Sequence, residues 1–147
     1  KDGAIRFIKN KVMRRDEHAI YAPFHDDFIG YEEPEDVRDV LKMSFPYLPY
    51  TGALGEMVLS SGKAIYLYEK GADGIIDISP FTCMNGIVTE AVYPSLAKDL
   101  DDMPIRTFYF DGTQGDLERD VGIFIELART YQRRKHKVRR YPAYFGA

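Results

Sequence analysis

From about residue 51 onward, the apolar positions of this chain follow helical and strand periods in alternation. Met57, Val58, Ser61, Ile65 and Tyr68 share one face at helical spacing and predict a helix over residues 53–70. Gly71, directly after Lys70, is its natural stop. Residues 74–79 then read as a short buried strand whose apolar core runs through Ile78 and which Pro80 ends. A second helix is expected over residues 85–100, kinked at Pro94. Residues 104–110 read as a second strand. A third helix follows from about Asp116 to Tyr131, with Leu117, Val121, Phe124, Ile125, Ala128 and Tyr131 as its stripe. Gly55 and Gly62 weaken the first of these helices, and the expected return is close approach to a neighbouring element.

The first 50 residues are less regular. Residues 4–13 suit a short helix or a strand, and residues 19–22 suit a strand entering the polar turn His25-Asp26-Asp27. Pro34, Glu35 and Asp36 suit the first turn of a helix carrying Val37, Val40 and Leu41, which Pro46 and Pro49 end. Residues 45–50 read as an extended connection.

Helix–strand–helix–strand–helix with short connections predicts right-handed crossovers and a parallel sheet covered by helices. The expected fold class is α/β: a three-layer, mostly parallel sheet flanked by helices, a Rossmann-like or flavodoxin-like half. Residues 1–50 would pack on a core of residues 51–132, with residues 133–147 as a basic tail of the same domain. A start at Lys1 rather than Met reads as a fragment of a longer chain, although processing or tag removal would look the same.

Composition narrows the picture further. With 147 residues, 45% hydrophobic and 29% charged, the chain is an ordinary globular domain. No apolar run approaches the roughly 18 residues of a membrane span, and no signal peptide opens it. A single cysteine cannot close an internal disulfide, which points to the cytoplasm. Net charge is −3, with six Lys or Arg in residues 133–140 and 14 left against 23 acids elsewhere. A basic tail can hold nucleic acid or phosphates, or simply end a helix in solvent. The acidic remainder would repel a phosphate backbone, so nucleic acid is not an expected partner.

Phosphate-loop, dinucleotide-binding and nucleophile-elbow motifs are absent, and His18, His25 and His136 lack metal-ligand spacing. Two strand-end loops remain. A lone cysteine is most often a small buried hydrophobe, but Cys83 lies just past the first strand, where a helix amino terminus would stabilise a thiolate. Asp77, inside the apolar strand, needs a partner such as a backbone donor or an arginine, and a structural role fits it. The second loop, residues 111–115, carries Asp111, Gly112, Thr113 and Gly115 and could cradle an anion, or be a turn with Asp116 as helix cap. Parallel strands would bring both loops to one face. His25-Asp26-Asp27 suits a metal or acid–base cluster, or a plain turn.

Thr51-Gly52-Ala53-Leu54-Gly55-Glu56-Met57, the run from Gly71 to Met84, Pro104 to Asp111, Gly115-Asp116-Leu117 and Phe124 to Leu127 together resemble the 2-hydroxyacyl-CoA dehydratase superfamily. The closer resemblance is to its long CoA-substrate-specific enzyme activase proteins, over residues 51–132. It implies that Cys83 is one thiolate of a four-iron, four-sulfur (4Fe–4S) cluster, with Phe81, Thr82 and Met84 lining the pocket and Asn85 beside it. In that family the cluster passes one electron, driven by ATP, to an acyl-CoA thioester. The further cysteines and the ATPase module would lie outside these residues, so the chain by itself would not be catalytic. Implied partners are other domains of a parent chain, an acyl-CoA, a dehydratase or activator subunit, or a second copy. The alternatives are a small anion- or CoA-binding module using Asp111, Gly112 and Thr113, and an interaction domain without redox chemistry.

Overall fold

In the computed structural model, residues 2–24, 36–52, 55–112 and 116–139 are described. They fall into two compact units, one holding the first helix and the other everything from residue 36 to residue 139. The first unit is α1 (Asp2–Tyr21), followed by a 3-10 turn (Ala22–Phe24). Residues 4–13 and 19–21 are therefore one continuous helix, and the strand expected at 19–22 does not form. Ile5, Phe7, Ile8, Val12, Met13 and Ile20 are all exposed on it. His25, Asp26 and Asp27 lie outside the described residues.

The second unit is mixed α/β. It comprises α2 (Val37–Met43), α3 (Met57–Glu69), β1 (Ile75–Pro80), α4 (Met84–Asp99), β2 (Ile105–Phe110) and α5 (Leu117–Arg134). Asp36 caps α2 by accepting from the Arg38 amide at 2.9 Å. Tyr47 and Leu48 donate back to Ser44 O, so residues 44–48 form turns and not the extended connection expected there. α3 starts at Met57, later than its apolar pattern predicts; Gly55 has φ +110° and lies in the turn before it. Its most buried positions include Gly62 and Ala64 beside Val58 and Ser61. A Cβ on Gly62 would sit 2.0 Å from the Val40 carbonyl oxygen, so glycine there is what lets α2 and α3 approach. The α3 chain reverses at Gly71 (φ +86°), whose amide and that of Ala72 close on Tyr68 O and Leu67 O.

β1 and β2 pair in parallel with Ile75 opposite Ile105 and Pro80 opposite Phe110. Among the described residues the sheet has these two strands alone, fewer than a three-layer sheet of the expected kind implies. α4 runs unbroken through Pro94 between them. Because side chains alternate along a strand, Ile75, Asp77, Ser79, Ile105, Thr107 and Tyr109 share the face that carries α4. Arg106 and Phe108 lie on the opposite face, where Arg106 approaches Asp120 of α5 at 3.9 Å. Ile76 and Ile78, on that second face of β1, remain 41% and 69% exposed.

The core joins Ala64 of α3, Ile75 of β1, Tyr93 and Leu96 of α4, Leu100, Met103 and Tyr131 of α5. The Ile, Leu and Met side chains among them each contribute roughly 1.5–3 kcal/mol on full burial. Tyrosine hydroxyls at its margin find acids: Tyr47 donates to Asp99 and Tyr68 to Asp101, each at 2.5 Å. Among the described residues, the basic stretch 133–137 is held against the rest of the second unit. Arg133 and Arg134 belong to α5, and Arg134 donates to Asp102 O at 3.1 Å. Lys135 lies against Asp73 at 2.5 Å, and Lys137 pairs with Glu69.

Candidate functional site

The in-register parallel pair ends both strands at one edge, and Phe81 continues the ladder by donating its amide to Phe110 O at 3.0 Å. That places Cys83 and Asp111 at the same end of the sheet, the usual location of ligands in parallel α/β proteins. After Pro80 the chain turns through Thr82 at φ +68°, and the Cys83 amide closes the turn on Pro80 O at 3.1 Å. Cys83 is then the N-cap residue of α4, in extended conformation, with its carbonyl accepting from Ile87 at 3.1 Å.

Cys83 is a residue of intermediate exposure whose thiol meets a set of donors. The Gly86 amide first, then the Asn85 amide and the Ser79 hydroxyl, hold its pKa below the ordinary thiol value; slight burial and the charge of Glu56 act the other way. Sγ closes no capping hydrogen bond of ordinary geometry with those amides. Their effect is that of dipoles facing a thiolate at a helix amino terminus.

Two glycines shape this corner. A Cβ on Gly86 would meet Ser79 Oγ at 2.2 Å, so the first turn of α4 reaches the end of β1 only because that position has no side chain. A Cβ on Gly55 would meet Asn85 Oδ1 at 2.3 Å, which brings the 55–56 turn and Glu56 to the same helix end. Asn85 Oδ1 is itself buried without a hydrogen-bond partner. Phe81 (60% exposed) and Met84 (67%) flank Cys83, and Phe81 stands edge-on to Tyr109 with ring centres 6.4 Å apart. With Thr82 also exposed, these three side chains leave the thiol accessible instead of enclosing it.

Among the described residues, Asp77 finds neither a backbone donor nor an arginine. Its Oδ2 accepts from Tyr93 at 2.8 Å and lies 3.0 Å from Thr89 Oγ1, both on α4. Next to them Tyr109 donates to Glu90 at 2.7 Å; burial first and this carboxylate second push the phenol up to about 12. These contacts pin α4 to the sheet and so fix where Cys83 points. Sequence alone singled out Asp77 and expected a close approach at Gly55, here to Asn85, but missed Ser79, Gly86 and Glu56. The spacing Gly86, Thr89, Tyr93, one small residue and two hydroxyls on one helix face, was the available signal.

The second loop is described as far as Gly112, which has φ +86° and open space around it; Asp111 and Gly112 are both exposed. Thr113 and Gly115 lie outside the described residues. Asp116 caps α5 by accepting from the Arg119 amide at 3.2 Å, with Glu118 and Asp120 in the same turn. A helix start already supplied with three carboxylates is a poor place for another anion. Among the described residues, no group of three or more His, Cys, Asp or Glu could hold a metal ion, and no helix is long and apolar enough to cross a membrane. No family model, curated protein or solved structure matches the chain.

Proposed function

We propose that this chain is a domain of a CoA-substrate-specific activase or 2-hydroxyacyl-CoA dehydratase-like protein, and that Cys83 gives one thiolate to a 4Fe–4S cluster. The observation that carries the reading is the setting of Cys83: an accessible sulfur at the amino terminus of α4, beside the Gly86 and Asn85 amides and the Ser79 hydroxyl. Thiolate ligands must be deprotonated to bind metal, and donors to a ligating sulfur tune cluster potential. The residues present therefore suit one ligand position. The chain has a single cysteine, so the other thiolates come from outside these 147 residues. When bound, the cluster would supply one-electron transfer toward an acyl-CoA system.

The chain's own residues have positional roles in this reading. Ser79 and the α4 amides lower the pKa of the sulfur and so favour its thiolate form. Phe81 and Met84 present apolar surface that a covering segment would remove from water, lowering the local dielectric around the sulfur. Asp77, Thr89 and Tyr93 keep α4 in place. The two strands form part of a larger three-layer, mostly parallel sheet in this proposal. Its support is the exposed pair Ile76 and Ile78, because parallel sheets are ordinarily covered on both faces. The anion- or CoA-binding alternative at Asp111, Gly112 and Thr113 is the weaker one, given the acids at the start of α5.

The test is iron and acid-labile sulfide content after anaerobic reconstitution of the full-length polypeptide and its Cys83→Ser variant. About four irons per chain, largely lost in the variant, is the expected result. Equal iron in both, or none in either, overturns the assignment.

A further inference from the structure

We draw no further inference here: the strongest candidate outside the proposed reading, the exposed stripe of Ile5, Ile8 and Val12 on α1 with Lys9, Lys11 and Arg15 beside it, carries nothing because nothing in the structure shows what covers it.

Discussion

The hydroxyl of Tyr93 donates to Asp77 Oδ2 at 2.8 Å and so ties the middle of α4 to the middle of β1. Thr89, one turn earlier, has its Oγ1 within 3.0 Å of the same oxygen and within 2.9 Å of Gly86 O. A partly buried carboxylate whose partners are two hydroxyls depends on both, since each hydrogen bond to a charged group is worth roughly 1.5–3 kcal/mol. Tyr93→Phe keeps the ring in the core and removes one donor. The expected outcome is a loss of about 1.5–2 kcal/mol in urea unfolding, with an unchanged m-value. A loss below about 0.5 kcal/mol would mean that water replaces the phenol without penalty.

Gly62→Ala separates helix propensity from packing. Alanine is favoured over glycine inside a helix by roughly 1 kcal/mol. The new methyl group would lie 2.0 Å from the Val40 carbonyl oxygen, a backbone atom that cannot rotate away. Packing should win, with a net destabilisation of about 1–3 kcal/mol, the range of overpacked cores. Thermal unfolding checks it, and a raised Tm would show that α2 moves off α3 at little cost.

Much of the second unit was legible because its apolar periods are strong. The strands came within a residue of their observed ends, and α5 carried a clean stripe, although the helix itself runs on past Tyr131 to Arg134. α1 was ambiguous because Arg and Lys alternate with Ile, Phe and Val around it, so no single period dominates. α3 starts late because Gly55, at φ +110°, is outside helical geometry, and it lies close to Asn85, a long-range contact that no local pattern encodes. The expected sheet was inferred from the alternation of elements, which fixes parallel order but not the number of strands. Cys83 was found by its place at a strand end. The helix amides beside it were expected from that place, but the Ser79 hydroxyl was not, because Ser79 and Gly86 meet only once α4 folds back on β1.

The lowered pKa of Cys83 predicts reactivity at lower pH than an ordinary thiol. The pH profile of alkylation by iodoacetamide should therefore have a midpoint below that of a free cysteine thiol measured under the same conditions. Ser79→Ala, which removes one donor, should move the midpoint upward. The sign for stability follows from the same direction. A group whose folded pKa is depressed adds stability that is fully present above the unfolded pKa and fades as pH falls through the folded one. Cys83→Ala should therefore remove a pH-dependent contribution visible at alkaline pH and absent in acid. A midpoint at or above that of the free thiol would contradict the donor arrangement.

Lys135 and Lys137 look alike in sequence but not in setting. The Lys135 side chain is 6% exposed, its ammonium 2.5 Å from Asp73 Oδ1 and hydrogen-bonded to the Gly71 carbonyl oxygen. The Asp73 contact is an ion pair without hydrogen-bonding geometry at Oδ1; Gln132 supplies the hydrogen bond to Oδ2 at 3.0 Å. Removing one member of a buried pair leaves the other charge unpaired and costs up to about 3–5 kcal/mol. Since Asp73 keeps Gln132 and some solvent, Lys135→Met should cost about 2–3 kcal/mol. Lys137 pairs with Glu69 in a more open position and lies 4.6 Å from the Tyr68 ring centre, so Lys137→Met should cost under about 1 kcal/mol. Urea unfolding of the two variants, with Lys135→Met/Asp73→Asn to test coupling, distinguishes an internal clamp from a solvated tail. If the two single variants are equally mild and the double variant is additive, the end of α5 is held by packing of Tyr131 alone.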